Sequence, residues 1–92
     1  MAHLNLKHLR YFWTVATHGS IARGAQLLHL TPQTISGQLA ELEEQIGAKL
    51  FSRAGRSLTL TDTGRLVFSY AEEMFRLEGE LRDALNGHTT GS

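Results

Sequence analysis

The sequence predicts a mainly helical domain: a winged helix-turn-helix of three helices and a short β-hairpin, followed by one long helix. Three observations carry that expectation. Two amphipathic runs are joined only by "HLT", residues 29–31, so the helices they form must turn sharply. A period-two stretch, "SLTLT", follows the turn-like "RAGRS". In the last third of the chain, apolar residues step by three and four for six positions.

The first helix starts after Asn5, a good N-cap, and repeats apolar residues at Leu6, Leu9, Phe12, Trp13 and Ala16. Gly19 suits its C-terminal cap, and Ser20 suits the N-cap of the second helix. That helix turns Ile21, Ala25 and Leu28 inward, and the small pair Gly24–Ala25 lets another helix come close. Thr31 caps the third helix and Pro32 falls at its first position, where a missing N–H is no loss and a fixed φ is an advantage. Proline there starts a helix; it does not interrupt one. Ile35, Leu39, Leu42 and Ile46 form the buried stripe, and Gly47 ends it.

Leu50 and Phe51 lead into the hairpin, which places its arginines at the tip and alternates Leu58 and Leu60 with Thr59 and Thr61. Thr61 then caps a helix from Asp62 to about Asn86, about 37 Å long at 1.5 Å per residue. Its apolar stripe is Leu66, Tyr70, Met74, Leu77, Leu81 and Leu85. Residues 1–61 are thus read as the winged helix-turn-helix, 62–86 as a linker helix and 87–92, "GHTTGS", as a flexible tail.

Composition narrows the chemistry. With no cysteine among 92 residues there are no disulfides or thiolate metal sites. His3, His8, His18, His29 and His88 lack ligand spacing, so neither metal nor cofactor is expected. Adjacent Glu43 and Glu44 point different ways around their helix, and no nucleophile has a base and an orienting partner, so catalysis is not expected. There is no apolar run near the roughly 20 residues that span a bilayer and no signal peptide at the start, so a cytoplasmic protein without a membrane partner is expected. The net charge of zero hides an asymmetry: residues 1–65 carry +3 and residues 66–92 carry −3. A phosphate-binding surface depends on the local field and not on the sum, so the basic half stays a candidate for one.

The outward face of the third helix is Gln33, Thr34, Ser36, Gly37, Gln38 and Ala40, with no charge among them. Solvated helix faces usually carry charged residues, as this chain's last helix does with its Glu and Arg. Amides, hydroxyls and small groups suit the DNA major groove, where Gln bonds adenine, Ser and Thr bond several base edges and small side chains meet the thymine methyl. Thr31, Pro32 and Gln33 open the helix, where backbone N–H groups can hold a phosphate. Arg53 and Arg56 flank a glycine in the hairpin and can serve phosphate and minor groove. Taken alone, each feature has a plain alternative, an unusual solvated face and a solvated loop with two arginines. Their adjacency favours double-stranded DNA. The long helix has more apolar surface than three short helices can cover, and pairing with the same helix of a second chain is the economical answer.

Together, "LKHLRYF", "GSIARGAQLLHLTPQTISGQLAELEEQIGAKLF" and "LFSRAGRSLTLTDTG" with the helix after them resemble the N-terminal DNA-binding domain of LysR-type transcriptional regulators. The resemblance covers about residues 4–86. It implies that base contacts fall on Pro32, Gln33, Ser36 and Gly37. The family's usual Gln-Pro and Ser-Arg are here Pro-Gln and Ser-Gly, so base reading carries over for Ser36 and Gln33, and not as a side-chain role for Gly37. In the wing, Arg53 takes the structural or phosphate role and Arg56 the minor-groove one. "YFW", "LTPQTISGQ", "KLF", the wing "GR" and "YAEEMF" look like the branch of sodium/proton-antiporter activators. The resemblance further implies a homodimer through the linker helix, often a tetramer at full length, an interrupted palindromic operator, and a C-terminal effector domain that this chain lacks. The rival reading is a winged-helix protein-interaction module that does not bind DNA.

Overall fold

A computed structural model describes residues 3–55 and 57–89. Its elements run α1 (Leu6–His18), α2 (Ile21–Leu28), α3 (Pro32–Ile46), β1 (Phe51–Ala54), β2 (Ser57–Leu60) and α4 (Asp62–Thr89). This is the winged helix-turn-helix with a long terminal helix that the sequence predicts.

The helix starts follow their caps. The Asn5 side chain accepts from the amides of Lys7 and His8, Ser20 from Arg23 and Thr31 from Thr34. Gly19 and Gly47 close α1 and α3 in the left-handed region, at φ 67° and 86°. The end of α2 has no glycine: His29 takes that conformation at φ 58°, and the Leu30 amide donates to the Ala25 carbonyl across the turn. That turn directs α3 away from α2.

Phe12, Val15, Ile35, Leu42 and Leu50 are fully enclosed, with Leu9, Ala25, Leu39 and Ala71 around them. Each such large side chain contributes about 1.5–3 kcal/mol by leaving water. One residue of the α1 stripe lies elsewhere: Leu6 is exposed, one turn short of the packed region, whereas Trp13 is half-buried and packs on the edge of the core against Phe75 of α4. Tyr11 and Val15 are buried in addition to Leu9 and Phe12. The small residue expected to admit a neighbouring helix does so: a Cβ on Gly24 would lie 2.7 Å from the Val15 side chain and 3.3 Å from its Cα.

In the hairpin, β1 and β2 are antiparallel with Phe51 opposite Leu60 and Arg53 opposite Leu58. Arg53 therefore lies on a strand and not at the tip, because pairing continues to Ala54–Ser57. Arg56 lies outside the described residues. Thr61 ties the hairpin to α4: its hydroxyl donates to the Lys49 carbonyl at 2.6 Å and accepts from the Gly64 amide at 2.9 Å.

Helix α4 continues to Thr89, three residues past the expected end at Asn86 and into the stretch read as a tail. One glycine costs about 1 kcal/mol in a helix interior, which a preceding run of good helix formers can carry. Residues 90–92 lie outside the described residues. The inward face of α4 is Val67, Phe68, Ala71 and Phe75, a second apolar stripe beside the one read from the sequence. The stripe that was read remains open. Leu66, Tyr70, Met74, Leu77, Leu81 and Leu85 are 40–67% exposed, and none packs on the core.

Candidate nucleic-acid interface

The buried stripe of α3 fixes which residues face outward. With Ile35, Leu39 and Leu42 enclosed, Gln33, Ser36, Gly37 and Ala40 are exposed on the other side. Thr31 and Thr34 are exposed too, but their hydroxyls are 2.9 Å apart, and the Thr31 oxygen accepts the Thr34 amide at 3.1 Å. They complete the helix start and have less hydrogen-bonding capacity left for a ligand. Pro32 occupies the first position of α3 as expected.

Gln38 departs from the outward set. It is half-buried, and its Oε1 is enclosed without a hydrogen-bond partner. Three residues after Ile35 and four before Leu42, it borders the buried stripe. Within that outward set, the polar side chains left uncommitted are Gln33 and Ser36, with Gly37 a bare backbone position: a Cβ there would meet nothing within 4 Å.

The structure brings Ser36 and Arg53 together. Both line a cleft of about 340 Å³ between α3 and the hairpin, with Leu39, Glu43 and Leu58 along its walls. The same two residues also border the adjoining cleft, which reaches Ser20, Ala22 and Pro32. Arg53 thus sits between the outward face of α3 and the start of α2. Glu43 is committed elsewhere: its Oε2 accepts the Leu50 amide at 2.8 Å and its Oε1 lies 3.7 Å from Lys49 Nζ. That carboxylate fastens α3 to the hairpin and partly neutralises Lys49.

Helix α4 keeps its charges in local pairs. Arg76 bonds Glu73 and Glu80, and Arg82 Nε lies 2.8 Å from Glu78 Oε2. The Arg76 hydrogen bond, reinforced by its charge, holds the Glu73 carboxyl below the usual carboxylate range. Among the described residues no group of His, Cys, Asp and Glu is arranged to hold a metal, and no helix is long and apolar enough to cross a membrane.

A three-helix core, an uncharged outward face at the start of α3 and a hairpin with an arginine on its first strand define a winged helix-turn-helix DNA-binding domain. Residues 6–65 match the profile of bacterial regulatory helix-turn-helix proteins of the lysR family, and the chain belongs to that family. The described fold is that family's helix-turn-helix DNA-binding domain.

Among its relatives, the transcriptional activator protein NhaR of Escherichia coli is 49% identical over 86 residues, covering 94% of this chain and 29% of NhaR. The RuBisCO operon transcriptional regulator of Allochromatium vinosum is 40% identical over 93 residues, covering 98% of this chain and 31% of that protein. The chain therefore spans about three-tenths of the length of these relatives. The BenM DNA-binding domain, crystallised on catB site 1 DNA, superposes with a TM-score of 0.87 at 27% identity, covering 97% of this chain and 99% of that one. The CbnR DNA-binding domain, also in a DNA complex, gives 0.78 at 29% identity, with 94% and 99% covered.

Proposed function

We propose that this domain reads an interrupted palindromic operator as a homodimer, with α3 in the major groove of each half-site and the hairpin over the neighbouring minor groove. One observation carries the dimer: six large apolar residues from Leu66 to Leu85 stand exposed along α4, while the face that packs on the core is Val67, Phe68, Ala71 and Phe75 in its first half. The same helix of a second chain covers such a stripe with like against like. In this reading Ser36 and Gln33 contact base edges, the Gln33 amide at the start of α3, just after Thr31 and Pro32, faces a phosphate, and Arg53 holds the backbone beside Ser36. Arg56 follows it into the minor groove, and Gln38 orients α3 from the edge of the core. A relative of the same fold, crystallised on its DNA, supports the DNA-binding reading.

The test is selection from a randomised duplex pool, with anisotropy of the bound fraction at two salt concentrations. Enrichment of an interrupted palindrome whose affinity falls steeply with salt is the expected result. Failure to bind even at low salt would leave the protein-interaction reading in its place.

Two substitutions separate reading from folding. Ser36→Ala is expected to lower discrimination by about 1–3 kcal/mol at one base pair per half-site. Unchanged base preference in a repeated selection would remove Ser36 from the reading set. Gly37→Ala is expected to stabilise the free domain by about 1 kcal/mol, since a methyl group there meets open space in a helix. It should also weaken operator binding, because the bare position lets the helix backbone approach the duplex. Stability rising with affinity untouched would show that DNA does not come that close.

A further inference from the structure

Helix α4 meets the helix-turn-helix at two levels. Near its start, Gly64 lies against the Leu50 carbonyl, and Val67, Phe68 and Ala71 continue the contact. At the second level, α1 reaches up with two side chains. The Trp13 and Phe75 rings stand with centroids 4.9 Å apart, and the Arg10 guanidinium carbon is 4.3 Å from the Phe75 centroid. Trp13 Nε1 donates to Glu72 Oε1 at 2.5 Å, and Arg10 Nη2 lies 3.6 Å from Glu78 Oε1. Past Glu78 the described side chains from Glu80 to Gly87 are all exposed.

From the second-level contacts we infer that Arg10, Trp13, Glu72, Phe75 and Glu78 form a clasp that fixes the angle between α4 and the helix-turn-helix. By doing so it selects the spacer length between the half-sites a dimer reads. The inference rests on the dimeric reading proposed above.

One added base pair moves a half-site by about 3.4 Å along the duplex and turns it by about 34°. If two symmetric domains share that turn, each swings about 17° relative to α4. The clasp lies 11 residues, or about 17 Å, beyond the Gly64 contact, so the swing displaces it by about 5 Å. Contacts of 4.3 Å and 3.6 Å do not survive that displacement. A spacer of the wrong length therefore opens the clasp, while the right length leaves it closed. Each of these exposed or half-exposed contacts adds little to folding, because single surface ion pairs and exposed cation–π contacts are weak, but a wrong spacer opens every contact of both clasps in the dimer at once and the losses add.

The experiment uses the operator recovered from the selection, with its spacer lengthened and shortened in single base-pair steps. Wild type is expected to show one optimum, with affinity falling about tenfold or more one step away. The double variant Arg10→Ala/Glu72→Ala is expected to bind the neighbouring lengths within about threefold of the optimum, with its dimer mass and unfolding midpoint near those of wild type. Glu72→Gln, which keeps the acceptor for Trp13, should retain the sharp optimum. An equally sharp optimum in the double variant, with dimer and fold intact, overturns the clasp alone. A wild-type protein that sediments as a monomer, or selects a lone half-site, overturns the dimeric reading and the clasp with it.

Discussion

Gly64→Ala is expected to destabilise the domain by about 3 kcal/mol, although alanine is the better helix former by about 1 kcal/mol. A Cβ at this position would lie 2.0 Å from the Leu50 carbonyl oxygen, 3.0 Å from its carbon and 3.2 Å from Leu60 Cδ2. The obstacle is backbone, and that backbone is already engaged. The Leu50 carbonyl accepts the Thr61 amide at 3.0 Å, and its own amide is held by Glu43. Retreat of either segment breaks a hydrogen bond or lifts α4 from the core. Urea unfolding monitored by tryptophan fluorescence measures the loss, with Gly37→Ala as a control of opposite sign. A Gly64→Ala protein as stable as wild type would mean that α4 does not seat this closely.

Leu77→Asp is expected to abolish the dimer and lower operator affinity by about 100-fold or more, while each subunit remains folded. Leu77 is 52% exposed and lies outside the core, so an aspartate there remains hydrated in a monomer. In the dimer the same carboxylate would be desolvated against its symmetry mate, near the centre of the apolar stripe. The affinity loss follows from avidity, since a second linked half-site contributes an effective concentration worth about 10²–10⁴. Sedimentation gives the mass, circular dichroism the fold and anisotropy the affinity. A Leu77→Asp protein that still sediments as a dimer would remove the stripe from the interface.

Much of this architecture was legible because local signals agreed with the fold. Asn5, Ser20 and Thr31 cap the helices they precede, Pro32 opens α3, and Ile35, Leu39 and Leu42 are buried as their spacing requires. In helix α4 one apolar face hides another. The helix is apolar on two faces, and the long unbroken stripe from Leu66 to Leu85 masked the shorter one at Val67, Phe68, Ala71 and Phe75. The need for Gly64 was hidden as well, since a helical glycine looks like a defect until the Leu50 carbonyl lies beside it.

In the candidate interface, spacing around α3 placed Gln33, Ser36 and Gly37 outward, but it could not show Gln38 leaning into the core edge. The strand position of Arg53 depended on how far the hairpin pairs, which the turn residues left open. The union of Ser36 with Arg53 is tertiary, and neither segment encodes it alone.

The 52 Å long axis gives the neutral charge balance a further meaning. The basic excess belongs to the residues before Leu66 and the acidic excess to those after Arg65, most of them on α4. A body with no net charge but separated poles feels little pull in a uniform field, yet it feels torque. Near a duplex, that torque turns the basic pole inward and the acidic helix outward before any atom touches. Diffusive encounters then arrive already aligned, so productive collisions are enriched by orientation and not by long-range attraction.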